Sequence, residues 1–124
     1  MAITTLTVIV VEDDTGMRAA LTRLLEIAGC NVASFASAED CLASGTAAGA
    51  DCVVCDVHLP GDSGFELHQR LAQAGAAAPV IFITAHDSAV ARDRALRLGA
   101  AAYLAKPFEG RALVDAVKQA TSSR

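Results

Sequence analysis

The sequence predicts an α/β fold: a doubly wound parallel sheet of five strands with helices on both faces. Three observations carry that expectation. Short apolar runs alternate with longer segments of helical periodicity, five of each, and such alternation implies right-handed crossovers onto a parallel sheet. The runs Val8–Val11 and Val80–Ile83 are continuously apolar, as in strands covered on both faces. The chain is 53% hydrophobic and 19% charged over 124 residues, enough for one well-buried domain over 1–124 and too short for two. Five βα units suit the strand order 2-1-3-4-5.

The elements follow in order. Leu6–Val11, Asn31–Phe35, Cys52–Cys55, Val80–Ile83 and Ala102–Ala105 read as strands. Met17, Leu21, Leu24, Leu25 and Ala28 form the apolar stripe of the first helix, with Gly29 as its stop. Ser37, with Asp40 three residues on, opens the second helix; Ser63 with Glu66 makes a capping box for the third. Asp87 or Ser88 caps the fourth, whose apolar residues are Val90, Ala95 and Leu98. The fifth starts after Pro107 and turns Leu113, Val114 and Val117 to the core. The stretch Ala74–Pro79 reads as a loop, and no repeat or domain boundary is visible.

Composition excludes several functions. A net charge of −4 gives no electrostatic reason to expect nucleic-acid binding by this chain. No apolar run approaches the roughly eighteen residues that span a bilayer, and the first residues are not a signal peptide. The expected compartment is the cytoplasm. Cys52 and Cys55 form a C-x-x-C, but within a strand positions three apart face opposite sides of the sheet. All four cysteines, including Cys30 and Cys41, are therefore expected to be buried thiols rather than metal ligands or a disulfide.

In such sheets sites form beyond the carboxyl ends of the strands. Strand one delivers Glu12, Asp13 and Asp14 there, strand three Asp56, strand four Thr84 and strand five Lys106. Strand two ends in Ser34 and Phe35 and offers nothing comparable. Carboxylates crowded together repel unless they cap something or share a cation. Asp13 and Asp56 can converge on one hard divalent cation, with Glu12 reaching it directly or through water. Magnesium fits, because it takes one or two carboxylates and keeps several waters. Asp14 reads as the cap of the first helix.

These residues lie in four motifs: Val10–Asp14 (VVEDD), Cys55–Gly64 (CDVHLPGDSG), Phe82–Ala85 (FITA) and Ala105–Phe108 (AKPF). In this order, each at a strand end, they resemble the receiver domain of bacterial two-component response regulators over nearly the whole chain. The strand order is in part carried by this resemblance. It implies that Asp56 accepts a phosphoryl group from a sensor histidine kinase or phosphotransfer domain. Glu12 and Asp13 would be the metal-binding acids, with Asp56 and the backbone carbonyl of His58 completing the protein ligands to Mg2+ or Mn2+. Thr84 and Lys106 would meet the phosphoryl oxygens, Thr84 and Tyr103 would form the switch, and Pro107 would follow a cis peptide bond. The implied role is regulatory, not that of an enzyme with its own substrate. Its output would be a phosphorylation-dependent homodimer or partner contact through helix four, strand five and helix five.

Individually, Thr84, Lys106 and Tyr103 also fit ordinary places: a strand end, a solvated amine, a half-buried ring. His58 and His86 lie two residues after Asp56 and Thr84. By the resemblance they flank the acceptor at the mouth of the site and modulate dephosphorylation. His68 reads as a surface residue without a role. Arg92, Arg94 and Arg97 read as a solvated face or a partner contact.

A haloacid-dehalogenase-like phosphohydrolase also uses Asp, Thr and Lys. It places a second Asp two residues after the nucleophile, where this chain has His58. A flavodoxin-like carrier needs a glycine- and hydroxyl-rich loop after strand one, where Glu12–Asp14 would repel a flavin phosphate. The spacing of Thr84 to Phe108, and His86, resemble the FixJ type of regulator, which usually carries a helix-turn-helix output domain. A stand-alone receiver and a receiver of a hybrid kinase remain open at this point, as do the kinase and the signal.

Overall fold

The computed structural model describes residues 5–122. In chain order these form β1 (Thr7–Val11), α1 (Thr15–Ile27), β2 (Asn31–Phe35), α2 (Ala38–Ser44), β3 (Cys52–Asp56), α3 (Gly64–Gln73), β4 (Val80–Thr84), α4 (Ala89–Arg97), β5 (Ala102–Ala105) and α5 (Gly110–Ser122). A short 3-10 turn at Thr46–Gly49 leads into β3. The five strands are parallel and ordered β2-β1-β3-β4-β5. No helix among the described residues is long and apolar enough to cross a membrane.

Local chemistry starts the helices. Asp14 accepts the amide of Met17 at 2.7 Å, Ser37 that of Asp40 at 3.1 Å, and Ser88 that of Ala91 at 3.0 Å. Each satisfies a backbone donor that the first turn leaves unpaired. Of the two candidates before α4, Ser88 is the cap, and Asp87 is left for other work. Ser63 and Glu66 form the reciprocal capping box of α3.

The alternation of side chains along the strands divides the core into two layers. Ile9, Val11, Val53, Cys55 and Phe82 pack with Cys41, Phe65, Leu67, Leu71 and Ala95 of α2, α3 and α4. Val8, Val10, Cys52, Val54, Ile81 and Ile83 pack with Leu21, Leu25, Leu113 and Val117 of α1 and α5. Each fully buried aliphatic side chain stabilises by about 1.5–3 kcal/mol relative to exposure. Cys52 and Cys55 accordingly sit in different layers, and no disulfide joins the four cysteines among the described residues.

Three expectations are corrected. Val90 is 79% exposed: the stripe of α4 that meets the core is Ala91, Ala95 and Leu98, and Val90 lies one residue, about 100° of helix, off that stripe. Cys30 is half-buried, because it lies in the turn beyond α1 rather than inside the sheet. His68 is also half-buried, since it falls between Phe65 and Leu71 on the inner face of α3. Its ring lies 5.9 Å from that of Phe82, and its Nδ1 has no hydrogen-bond partner. Burial holds its pKa below the usual imidazole value.

Candidate functional site

The parallel sheet sets the carboxyl ends of β1, β3, β4 and β5 along one edge. Asp56 is the last residue of β3 and Thr84 the last of β4, each one position beyond the expected strand, so both are held by ladder pairing. Asp56 is 5% exposed, Glu12 1% and Thr84 fully buried. Asp13 is exposed.

Lys106, directly after β5, reaches under this edge. Its Nζ donates to Glu12 Oε1 at 2.5 Å and to Asp56 Oδ2 at 2.7 Å. The remaining oxygens are used as well: Asp56 Oδ1 accepts the amide of His58 at 2.9 Å, and Glu12 Oε2 accepts that of Asp14 at 3.1 Å. One ammonium and two backbone donors thus meet all four oxygens of the two buried carboxylates and leave one net negative charge. Burial pushes the Glu12 carboxyl above its usual pKa, against the pull of the Lys106 hydrogen bond. Burial would lower the Lys106 pKa, but the bonds to Asp56 and Glu12 outweigh it and raise it. The Lys106–Pro107 peptide is cis.

The residues present fit a small hard cation. One carboxylate oxygen each from Glu12, Asp13 and Asp56 lies within 4.8 Å of the others, and an all-oxygen donor set is what magnesium takes.

Thr84 Oγ1 accepts the amide of His86 at 2.9 Å and stands 3.5 Å from His58 Nδ1. The His58 and His86 rings, both exposed, have centroids 4.8 Å apart at 60°. They stand on the two loops that flank Thr84. Tyr103 is half-buried, and its hydroxyl donates to Asp87 Oδ1 at 3.1 Å. The arginines of α4 are exposed, as in a solvated face, and each also makes a contact. Arg92 pairs with Asp87, Arg94 lies 4.8 Å over the Phe65 ring, and Arg97 pairs with Asp93.

Two further residues shape the site, Arg18 outside the motifs and Gly64 at the end of one. Arg18 of α1 donates to the carbonyl of Glu12 at 2.8 Å and braces the acidic loop. Gly64 opens α3 against the end of β3, where an added Cβ would lie 2.3 Å from the Asp56 carbonyl oxygen. Only a residue without a side chain permits that approach. The Gly at the end of CDVHLPGDSG was the one available signal for it; for Arg18 there was none.

Comparison with known proteins agrees with this geometry. The model of the response regulator receiver domain matches residues 8–118. Nodulation protein W of Bradyrhizobium diazoefficiens is 43% identical over 114 residues, 92% of this chain and 50% of that protein. Transcriptional regulatory protein FixJ of Azorhizobium caulinodans is 40% identical over 109 residues, 88% of this chain and 52% of that protein. The chain thus spans about half the length of these curated relatives. The crystal structure of FixJ-N superposes with a TM-score of 0.87 at 30% identity, covering 98% of each chain. The haloacid-dehalogenase alternative gains no support from these matches. With the sheet order, the acidic strand ends and the match over residues 8–118 all in agreement, the chain belongs to the response regulator receiver domain family, alongside FixJ-like members.

Proposed function

We propose that this domain takes a phosphoryl group onto Asp56 from the phosphohistidine of a sensor kinase or phosphotransfer domain, and so regulates an output. The observation that carries the reading is the Asp56 carboxylate: buried, at a strand end, and held on one oxygen by Lys106 and on the other by the His58 amide. A carboxylate so fixed attacks the phosphorus in line; the P–N bond breaks, and the donor imidazole leaves with the electron pair. Glu12, Asp13, Asp56 and the His58 carbonyl would hold Mg2+ or Mn2+. Bound there, the cation would add positive charge against the phosphoryl oxygens.

Lys106 then pairs with a phosphoryl oxygen, and the Thr84 hydroxyl donates to another. Movement of Thr84 leaves room beside β4 that Tyr103 fills. The surface of α4, β5 and α5 changes with it, which supports a phosphorylation-dependent homodimer or partner contact. Val90 and Leu96, 79% and 76% exposed on α4, are apolar anchors available for such a contact. His58 and His86 stand where a water must approach the acyl phosphate. Replacing both with Asn is expected to change the dephosphorylation rate several-fold in a phosphate-release assay; an unchanged rate would remove them from the mechanism.

The decisive experiment uses a small phosphodonor with magnesium. Wild type is expected to gain a phosphoryl group, observed as a mass increment that alkali or hydroxylamine removes, and Asp56→Asn to gain none. Undiminished labelling of the Asn variant would sink the assignment.

A further inference from the structure

Asp87, Arg92 and Tyr103 form a closed triangle on the α4 side of β5. The Tyr103 hydroxyl donates to Asp87 Oδ1 at 3.1 Å. Arg92 grips the same carboxylate with two bonds, Nε to Oδ1 at 2.9 Å and Nη2 to Oδ2 at 2.7 Å. The Arg92 guanidinium lies 5.2 Å from the centre of the Tyr103 ring, within cation–π range. Asp87 has no capping duty, since Ser88 caps α4. The triangle therefore holds Tyr103 without being needed to start a helix.

A second link joins this triangle to the acceptor. Asp87 follows His86, whose amide is bonded to Thr84 Oγ1 at 2.9 Å. The hydroxyl oxygen that receives this amide belongs to the group expected to turn toward a phosphoryl oxygen. Turning Thr84 moves the acceptor of the His86 amide, and the 86–87 segment must follow or lose a hydrogen bond. Asp87, and with it the anchor of Tyr103, is one residue away.

We propose that Asp87 and Arg92 are positioning residues that latch Tyr103 against α4, and that the Thr84–His86 bond releases this latch when Asp56 is phosphorylated. The proposal rests on the acceptor reading above and names what opposes the switch. A two-state element responds to a ligand only as far as the ligand prefers one state, so whatever holds the resting state sets the apparent affinity for the activating group. All three latch contacts lie in exposed surroundings, where ion pairs contribute modestly. A weak latch is what a reversible switch needs. The Arg92 hydrogen bond keeps the Asp87 carboxyl below the usual range, so the latch stays charged at neutral pH.

The test is titration with beryllium fluoride, a phosphoryl mimic, in the presence of magnesium, following bound fluoride by fluorine NMR. The latch requires both Asp87→Ala and Arg92→Ala to lower the midpoint, by roughly two- to fivefold, the scale of one exposed charged pair. Simple electrostatics gives a different result: removing an anion would tighten binding of an anionic mimic, whereas removing a cation would weaken it. In a Tyr103→Phe background Asp87→Ala should leave the midpoint unmoved, because its effect acts through the hydroxyl. Tyr103 is the only Tyr, and the chain has no Trp. Tyrosine emission therefore reports this one ring, and should rise in free Asp87→Ala as a quenching carboxylate is removed. Opposite shifts in the two Ala variants, an unmoved midpoint, or an equal Asp87→Ala shift in the Phe background would overturn the latch. Absence of any bound fluoride signal in the wild type would instead overturn the acceptor reading, and the proposed coupling with it.

Discussion

The acidic edge and the α4–β5 edge lie on the same sheet but are held in place by different forces. At the acidic edge Glu12, Asp56 and Thr84 are buried, and every oxygen of Glu12 and Asp56 has a donor. At the other edge α4 buries only Ala95, and all four residues of β5 are half-buried. Its side chains are joined by exposed polar contacts such as Arg92–Asp87. Buried, fully satisfied polar groups are expensive to move; exposed ion pairs are not. Chemistry needs fixed geometry, and output needs two accessible geometries.

Several substitutions would break or sharpen this contrast. The largest effect is expected from Lys106→Ala, which leaves Glu12 and Asp56 facing each other without their cation. Phosphorylation by a small donor should slow by about a hundredfold or more, the scale of losing one preorganised charge at the reacting group. Magnesium should also raise the thermal midpoint of this variant more than that of the wild type, because the dication relieves the same repulsion. Equal magnesium shifts in the two proteins would show that Lys106 is not the neutralising group.

Gly64→Ala tests geometry without touching charge. Its Cβ would lie 2.3 Å from the Asp56 carbonyl oxygen, so backbone must move. A loss of about 1–3 kcal/mol, the range of overpacking, is expected in denaturant unfolding, together with slower phosphorylation. Normal rates with normal stability would mean the end of β3 yields more easily than its burial implies.

Asp13→Asn removes an exposed carboxylate, one of three that cluster. Magnesium affinity should fall on the order of tenfold through loss of an anionic ligand, with little change in folding. Titration curves that overlay would exclude Asp13 as a ligand.

The smallest effect on stability is expected at α4. Val90→Ser and Leu96→Ser alter side chains 79% and 76% exposed and should stay within about 0.5 kcal/mol of wild type. Leu25→Ala, in the fully buried layer under α1, should cost about 2–5 kcal/mol. If the two α4 variants nonetheless weaken self-association of the phosphorylated domain in sedimentation, the output surface is located. Equal sedimentation of phosphorylated wild type and variants would remove these residues from it.

Much of the fold was legible in the sequence for local reasons. The caps Asp14, Ser37 and Ser63 act within three residues of themselves. The continuous apolar runs needed only the knowledge that strands covered on both faces lack alternation. The alternation of side chains along a strand separates Cys52 from Cys55, one in each core layer. Residue type alone misleads at Val90 and His68, whose places follow from helical spacing, and at Cys30, which lies in a turn.

The sequence by itself determined the alternation of elements, the acids, hydroxyl and amine at the strand ends, and the family motifs. Those follow from periodicity and chain order, which are local. Only the tertiary structure decided which oxygen faces which donor. The Lys106–Glu12 bond joins residues 94 positions apart, and its existence depends on β1 and β5 running parallel in one sheet, with their carboxyl ends on the same side. The triangle of Asp87, Arg92 and Tyr103 is likewise invisible in the sequence, where Asp87 reads as a cap and Arg92 as a solvated charge. A side chain with several possible partners takes the one that packing brings within reach, and distance in space is not written in distance along the chain.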